Sequence, residues 1–120
     1  MNTAEALAEA NRLSRLIDAA IDALKNTSVA FAEAEREYRR SKSRAWLECK
    51  ALDMLAKEKE AWVDAESSDD RYRRDVAEGM RQAALEAVRS RRAQLSALQT
   101  FLNAERAEAD FARTSPAGVG

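Results

Sequence analysis

The chain has 120 residues, a net charge of −1 and 34% charged residues, with one cysteine and no histidine. Without histidine, His-based acid–base catalysis, Ser–His and Cys–His nucleophile pairs and His-ligated zinc are all excluded. One cysteine excludes an intramolecular disulfide framework and a metal site built from several cysteines. We therefore expect no enzyme activity, no catalytic residue, no bound metal and no cofactor.

The composition is typical of long helices. Alanine is the most frequent residue, followed by arginine, glutamate and leucine, and glycine and proline are absent before Gly79. Alanine and straight-chain charged residues are the best helix formers. The sequence predicts an all-α fold, either a long antiparallel helical hairpin or a coiled-coil-like bundle of three to four helices. We expect one domain over residues 1–113 and a flexible tail at 114–120.

Two helices are predicted in the first half of the chain, over about 3–25 and 28–51. Asn2 followed by Glu5 fits the reciprocal capping pattern of a helix start. Cap-type residues at 26–28 favour a break, because they compete for backbone hydrogen bonds. One continuous helix is equally open, since apolar residues recur every seven positions through this region: Leu24, Phe31, Tyr38, Ala45 and Leu52.

A short third helix is predicted over about 54–66, with Asp53 as its N-cap, and a last helix over about 70–113. The polar residues at 67–70 form the clearest break between them. Gly79 inside the last helix suggests a close helix–helix contact. The apolar stripe expected on that helix consists of Tyr72, Val76, Met80, Ala83, Ala84, Ala87, Val88, Leu95, Leu98, Leu102, Ala109 and Ala112.

Charge is unevenly distributed along the chain. Residues 36–50 carry six basic and two acidic side chains, residues 71–92 carry seven and three, and the segment 51–70 carries two and seven. A hairpin folded at this acidic segment places the two basic segments side by side, which is costly unless they face water or an anion. Together they form a candidate nucleic-acid-binding band: Arg36, Arg39, Arg40, Lys42, Arg44, Arg71, Arg73, Arg74 and Arg81.

Aromatic residues are interleaved with this basic band. Tyr38, Trp46 and Tyr72 are candidates for stacking on unpaired bases. Arginine outnumbers lysine in the band, and its planar guanidinium suits bidentate contact with phosphate. A solvated helical face with local ion pairs, such as Arg40 with Glu37 and Arg89 with Glu86, is an open alternative. An acidic protein partner is another.

Three stretches of the chain resemble small all-helical proteins of tailed bacteriophages: AEREYRRSKSRAWLECKA, AKEKEAWVDAES and RRDVAEGMRQAALEAVRSRRAQLSALQTFLNAERAEADFARTSP. The resemblance covers residues 30–116 approximately. Genes for such proteins often lie near replication and recombination genes. The resemblance implies a phage accessory protein in the host cytoplasm, with recombination or the handling of single-stranded DNA as its role.

We therefore expect a non-enzymatic accessory factor that binds single-stranded DNA or its protein coat. The alternative is a protein-binding scaffold, or an inhibitor of a host nuclease or defence system. An inhibitor would present acidic residues of the segment 51–70, namely Asp64, Glu66, Asp69 and Asp70. We also expect self-association as a dimer or higher oligomer, because few large apolar residues are spread along a long hairpin. No membrane span is expected, because no stretch of about 18 apolar residues occurs. A cytoplasmic location is what the phage resemblance implies.

Overall fold

A computed structural model describes residues 1–114 of the chain as three α-helices. Helix α1 is Thr3–Lys50, α2 is Ala56–Glu66 and α3 is Ser68–Thr114. Helices cover 93% of the described residues, and no strand occurs among them. The predicted all-α class is confirmed. The tail is predicted at 114–120: Thr114 is the last residue of α3, and residues 115–120 lie outside the described part of the chain.

Helix α1 starts as its sequence predicts but does not break. The Glu5 backbone N–H donates to Asn2 Oδ1 at 2.8 Å, and the Asn2 N–H donates to Glu5 Oε2 at 3.4 Å, which is the reciprocal capping arrangement. The expected separation into helices at 3–25 and 28–51 is corrected to one helix of 48 residues. Thr27 Oγ1 donates back to the carbonyl oxygen of Ala23 at 2.8 Å, so a cap-type side chain is accommodated inside the helix.

The N-cap residue of α2 is not the one that the sequence predicts. Asp53 lies in the connecting segment, and Leu55 occupies the N-cap position in extended conformation. The Leu55 backbone N–H donates to Glu58 Oε2 at 3.3 Å, so an acid in the first turn satisfies a free amide of the helix start. The Asp53 cap predicted from the sequence is therefore corrected to Leu55.

The predicted polar break at 67–70 narrows to a single residue. Ser67 separates α2 from α3, and its side chain is buried at 2% exposure. Its hydroxyl donates to the Val63 carbonyl oxygen at 2.7 Å, which satisfies the buried polar group. Asp69 and Asp70 fall in the first turn of α3, where acidic side chains interact favourably with the helix dipole.

The chain divides into two compact units, each containing parts of α1 and α3. We call Asp22–Leu85 the bend unit, because it contains the α1–α2 connection, and Met1–Ile21 with the chain from Glu86 onward the terminal unit. The one domain that the sequence predicts over residues 1–113 stays a prediction. Both long helices pass through both units, so neither hydropathy nor glycine and proline placement marks a boundary.

In the terminal unit, the first turns of α1 lie beside the last turns of α3. Thr3 and Leu7 share a groove with Leu102 and Arg106, which fixes an antiparallel arrangement. Buried apolar side chains of this unit include Leu13 at 1% exposure and Val88 at 4%. Burying such side chains is the main stabilising term available to a seam of two helices.

In the bend unit, α1 packs against α2 and the start of α3. Val63 of α2 clusters with Ala45 and Cys49 of α1, and Met54 and Trp62 pack against this cluster. Farther back along α1, contacts reach progressively later residues of α3. The order is antiparallel, as the predicted hairpin requires. The seven-residue spacing falls on the buried or half-buried side of α1 from Leu24 to Ala45, whereas its last member, Leu52, lies past the end of α1 and is 41% exposed.

The apolar stripe predicted on α3 is wrong at its start, and its later members Ala83, Ala87, Ala109 and Ala112 are exposed as well. Tyr72, Val76 and Met80 are 70%, 44% and 59% exposed, and the half-buried positions there are Arg74, Ala77, Glu78 and Arg81. The close contact expected at Gly79 is also wrong, because a Cβ added there would meet nothing within 4 Å. The side of α3 that packs in the seam follows a seven-residue spacing from Leu102 back through Val88. This spacing leads to arginine, at Arg81 and Arg74, rather than to the nearby apolar residues.

Candidate polyanion-binding face

The outer face of α1 in the bend unit carries an open groove rich in arginine. Its volume is about 800 Å³, and all of its lining residues belong to α1. We call it the arginine groove, and it is lined by Ala32, Glu35, Arg36, Arg39, Arg40, Ser43, Arg44 and Leu47. Four arginines face one glutamate, so the lining has a net charge of +3. The predicted shared face of Arg36, Arg40 and Arg44 is present.

Two of the four groove arginines make ion pairs with neighbours on the same helix. Arg39 Nε lies 2.9 Å from Glu35 Oε1, and Arg40 Nη1 lies 3.3 Å from Glu37 Oε1. The Arg39 side chain is 77% exposed and the Arg40 side chain 53% exposed. Exposed pairs of this kind contribute little to stability, so an incoming anion can replace the carboxylates at small cost. Between residues 1 and 114, Arg36 and Arg44 make no ion pair.

Tyr38 lies on the other side of α1, in the seam with α3. The Arg74 guanidinium carbon is 4.5 Å from the centre of its ring, and Lys42 Nζ is 5.9 Å from it. A cation over the face of an aromatic ring is attracted by the ring quadrupole. Because these cations cover the ring, Tyr38 does not offer the open face that stacking on a base requires.

Arg74 joins α3 to α1 at the same place. Its Nη2 donates to Asp75 Oδ1 at 2.8 Å, and its Nε lies 3.6 Å from Glu35 Oε2. The hydrogen bond to Asp75 raises the pKa of Arg74 above its usual range, and the Glu35 carboxylate acts in the same direction. This arginine serves the helix contact and does not face outward into the groove.

The remaining basic residues of the predicted band lie apart from the groove. Arg81 sits over the Phe31 ring at 5.3 Å, and its Nε is buried with no hydrogen-bond partner. Arg71 is exposed on α3, and Arg73 donates to Asp70 Oδ1 at 3.2 Å. The expected single band across both arms is therefore corrected to a groove on α1 alone. Antiparallel packing sets α2, not the basic part of α3, beside the last turns of α1.

The other two stacking candidates have open surfaces. Trp46 is 36% exposed and lies seven residues after Arg39, which places it on the same side of α1 as that groove residue. Tyr72 is 70% exposed on α3 and does not line the groove. Only Trp46 is therefore positioned to extend the arginine groove with an aromatic surface.

The acidic candidates lie at the end of α2 and the start of α3. Asp64, Glu66 and Asp69 are exposed, and Asp70 is half-buried and bound by Arg73. The three exposed carboxylates are open to a partner, as the inhibitor alternative requires. Within residues 1–114, no group of three or more acidic or cysteine side chains is arranged to hold a metal ion.

Cys49 is fully buried against Ala45 and Val63, which is a packing role. No helix in the described part of the chain has an apolar stretch long enough to cross a membrane. The groove positions Ala32, Ser43 and Leu47 were not identified from the sequence. The sequence contains a pattern that identifies them, because they extend the spacing of Arg36 and Arg40 along the same helix face at intervals of three and four residues.

No protein-family model, no curated protein and no solved structure matches this chain. The resemblance to small phage proteins consequently rests on the sequence stretches alone.

Proposed function

We propose that this protein is a non-enzymatic nucleic-acid-binding factor that holds a single strand in the arginine groove of α1. The observation that carries the proposal is the placement of four arginines around one open groove with a single acidic lining residue. Arginine is the residue best suited to bidentate contact with phosphate oxygens. The context we propose, from the phage resemblance, is recombination or replication in a host cell.

The electrostatics of the groove support a polyanion rather than a small anion. Arg36, Arg40 and Arg44 recur every four residues, so the positive charge extends along two turns of helix. Like charges repeated along one face repel each other, and a chain of phosphates relieves the repulsion along its length. The local ion pairs of Arg39 and Arg40 leave both side chains more than half exposed and available for exchange.

Preference for a single strand follows from the aromatic residue at one end of the groove. Trp46 offers a partly open ring on the side of α1 that also carries Arg39. Unpaired bases stack on such rings without regard to sequence, each contributing about 1–3 kcal/mol. Paired bases in a duplex are already stacked on each other and are not free to do so.

The test is binding of a labelled oligothymidylate followed by fluorescence anisotropy across a salt series. If the four arginines each neutralise one phosphate, the logarithm of affinity falls with the logarithm of salt at a slope of about −3. Combined charge reversal by Arg36→Glu, Arg40→Glu and Arg44→Glu should weaken binding at least about tenfold.

The matched control reverses three exposed arginines of the terminal unit: Arg15→Glu, Arg92→Glu and Arg106→Glu. It makes the same change in net charge, so it separates the groove from the charge of the whole chain. Equal losses in the two variants, or no binding by the wild type at about 50 mM salt, would overturn the proposal. In the second case the exposed acidic residues Asp64, Glu66 and Asp69 would favour the protein-partner alternative.

A further inference from the structure

One carboxylate, that of Glu35, connects the arginine groove to the seam between α1 and α3. Its Oε1 accepts a hydrogen bond from Nε of the groove residue Arg39 at 2.9 Å. Its Oε2 lies 3.6 Å from Nε of Arg74, which belongs to α3. All three residues belong to the bend unit, so both contacts lie within one compact part of the chain.

We propose that Glu35 is a positioning residue, which moves its hydrogen bond from Arg39 to Arg74 when a phosphate binds Arg39. The inference deepens the proposed function and rests on it, because the phosphate belongs to the strand held in the groove. The exchange releases a groove arginine for binding and strengthens the contact between α1 and α3 in the same step.

The two contacts of Glu35 differ in how far water reaches them. The Arg39 side chain is 77% exposed, whereas the side chains of Glu35 and Arg74 are 26% and 25% exposed. An exposed ion pair contributes little to stability, and a partly buried pair is screened less by salt. A phosphate therefore separates Arg39 from Glu35 at little cost, and the carboxylate moves to the better shielded of its two partners.

Arg74 has a donor available for this exchange. Asp75 Oδ1 accepts hydrogen bonds from both Nε, at 3.1 Å, and Nη2, at 2.8 Å, so Nη2 can hold Asp75 while Nε turns to Glu35. N–H···O bonds are about 2.9–3.0 Å long, so a shift of less than about 1 Å brings Glu35 Oε2 within reach. The contact of the guanidinium with the Tyr38 ring, at 4.5 Å, holds Arg74 in place for it.

The exchange couples the groove to the seam, and such a coupling is reciprocal. A bound strand stabilises the Arg74 contact, and Arg74 strengthens binding although it does not line the groove. The neighbouring pair of Arg40 and Glu37 lacks this coupling. The Glu37 side chain is 59% exposed, and among the ion pairs of residues 1–114 it contacts no residue of α3.

A double-mutant cycle on oligothymidylate affinity, measured by fluorescence anisotropy, tests the coupling. Arg74→Met should weaken binding at least about threefold more than Arg73→Met, a control that removes the same charge from an exposed position of α3. In a Glu35→Gln background the two losses should be equal, because a neutral amide is a weaker acceptor for Arg74 than a carboxylate. Packing lost at Tyr38 occurs in both backgrounds and cancels. The same excess loss for Arg74→Met in both backgrounds would overturn the proposal.

A second measurement needs no nucleic acid. Arg39→Met leaves Glu35 without its groove partner, so the Nε–H proton of Arg74 should shift downfield in the ¹⁵N-correlated NMR spectrum and exchange more slowly with water. Adding Glu35→Gln should reverse the change. The control Arg40→Met frees Glu37 instead and should leave the signal where it is in the wild type.

The NMR result separates the inference from the proposed function. An unchanged Arg74 signal in Arg39→Met, or an equal change in Arg40→Met, would overturn the role of Glu35 even if the strand binds. The expected Arg74 signal in a protein that binds no oligothymidylate would support the exchange and overturn the proposed function alone.

Discussion

In the terminal unit the buried side chains of the two-helix seam are aliphatic, whereas in the bend unit the seam of α3 carries two arginines. Leu13 and Ile17 are buried on α1 of the terminal unit, and Val88 is buried on α3. In the bend unit, Arg74 and Arg81 occupy the corresponding half-buried positions of α3 and lie over the rings of Tyr38 and Phe31.

The same helix geometry therefore supports two kinds of contact. Aliphatic burial supplies stability at about 25 cal/mol per Å² removed from water. A guanidinium over a ring supplies less, because part of the arginine must be desolvated, but it requires a defined position along the helix. We interpret the aliphatic seam of the terminal unit as a source of stability and the arginine seam of the bend unit as a contact that sets the register of the two helices.

The largest expected effect is at the aliphatic seam. Leu13→Ala should lower the free energy of unfolding by about 2–4 kcal/mol, because Leu13 is 1% exposed and its removal leaves a cavity between two helices. Urea denaturation measures the change. Leu7→Ala is the control, since Leu7 is 52% exposed on the same part of α1, and its cost should stay near 0.5 kcal/mol, roughly the usual limit for surface sites. Equal costs would contradict the assignment of stability to this seam.

A smaller effect of opposite sign is expected at the arginine seam. Arg81→Met should raise the free energy of unfolding by about 1 kcal/mol, because it removes a buried Nε without a partner and keeps an unbranched chain over Phe31. Arg71→Met, at an exposed position of α3, should change it little. Thermal unfolding of both variants distinguishes them. A marked loss of stability in Arg81→Met would show that the cation over the ring outweighs its desolvation.

Gly79 gives a third test, on the outer face of the bend unit. Gly79→Ala should raise the stability of the monomer by about 0.5–1 kcal/mol, because alanine is the better helix former and nothing lies within 4 Å of the added Cβ. The measurement is chemical denaturation at a concentration low enough to keep the protein monomeric. Ala83→Gly, also exposed on α3, should lower stability by a similar amount. A loss of stability in Gly79→Ala would instead support the close helix–helix contact that the sequence suggests at Gly79.

The smallest effect is electrostatic and lies in the terminal unit. The hydrogen bond that Arg12 Nε donates to Glu9 at 2.8 Å lowers the pKa of Glu9, and the charge of Arg91 on α3 acts in the same direction. Because the folded-state pKa is lowered, Glu9 contributes stability above its unfolded pKa and loses it as pH falls through the folded one. Carboxyl NMR titration should show the lowered pKa in the wild type and a rise toward the ordinary value in Arg12→Met. An unchanged pKa in that variant would contradict the cause.

The sequence predicts α1 better than α3, for a physical reason. Residues Leu24, Phe31 and Tyr38 recur by sevens, and a seam of two helices buries such a set whatever its flanks contain. On α3 the seven-residue spacing through Val88 leads to Arg81, whereas the apolar residues Tyr72, Val76 and Met80 lie on another face of the helix. Hydropathy alone predicts that the apolar residues are buried, but the structure buries the positions of the seven-residue spacing instead.

The site was predicted in part for a related reason. The shared face of Arg36, Arg40 and Arg44 depends only on helix geometry within one element, which sequence spacing determines. Whether the arginines of α3 lie beside those of α1 depends on which segments of the two helices pack together. The position of the turn after Lys50 determines this pairing. The turn places α2 beside the last basic residues of α1, a result that charge counts along the chain do not contain.

The most direct test of binding in the arginine groove is to follow the backbone amide NMR signals of the ¹⁵N-labelled protein during titration with a short oligothymidylate. We expect shifts to concentrate on α1 between Ala32 and Leu47, with the Trp46 indole N–H among them, and the signals of the terminal unit to stay unchanged. Shifts centred on the terminal unit or on residues 51–70, or no shifts at saturating oligonucleotide, would contradict it.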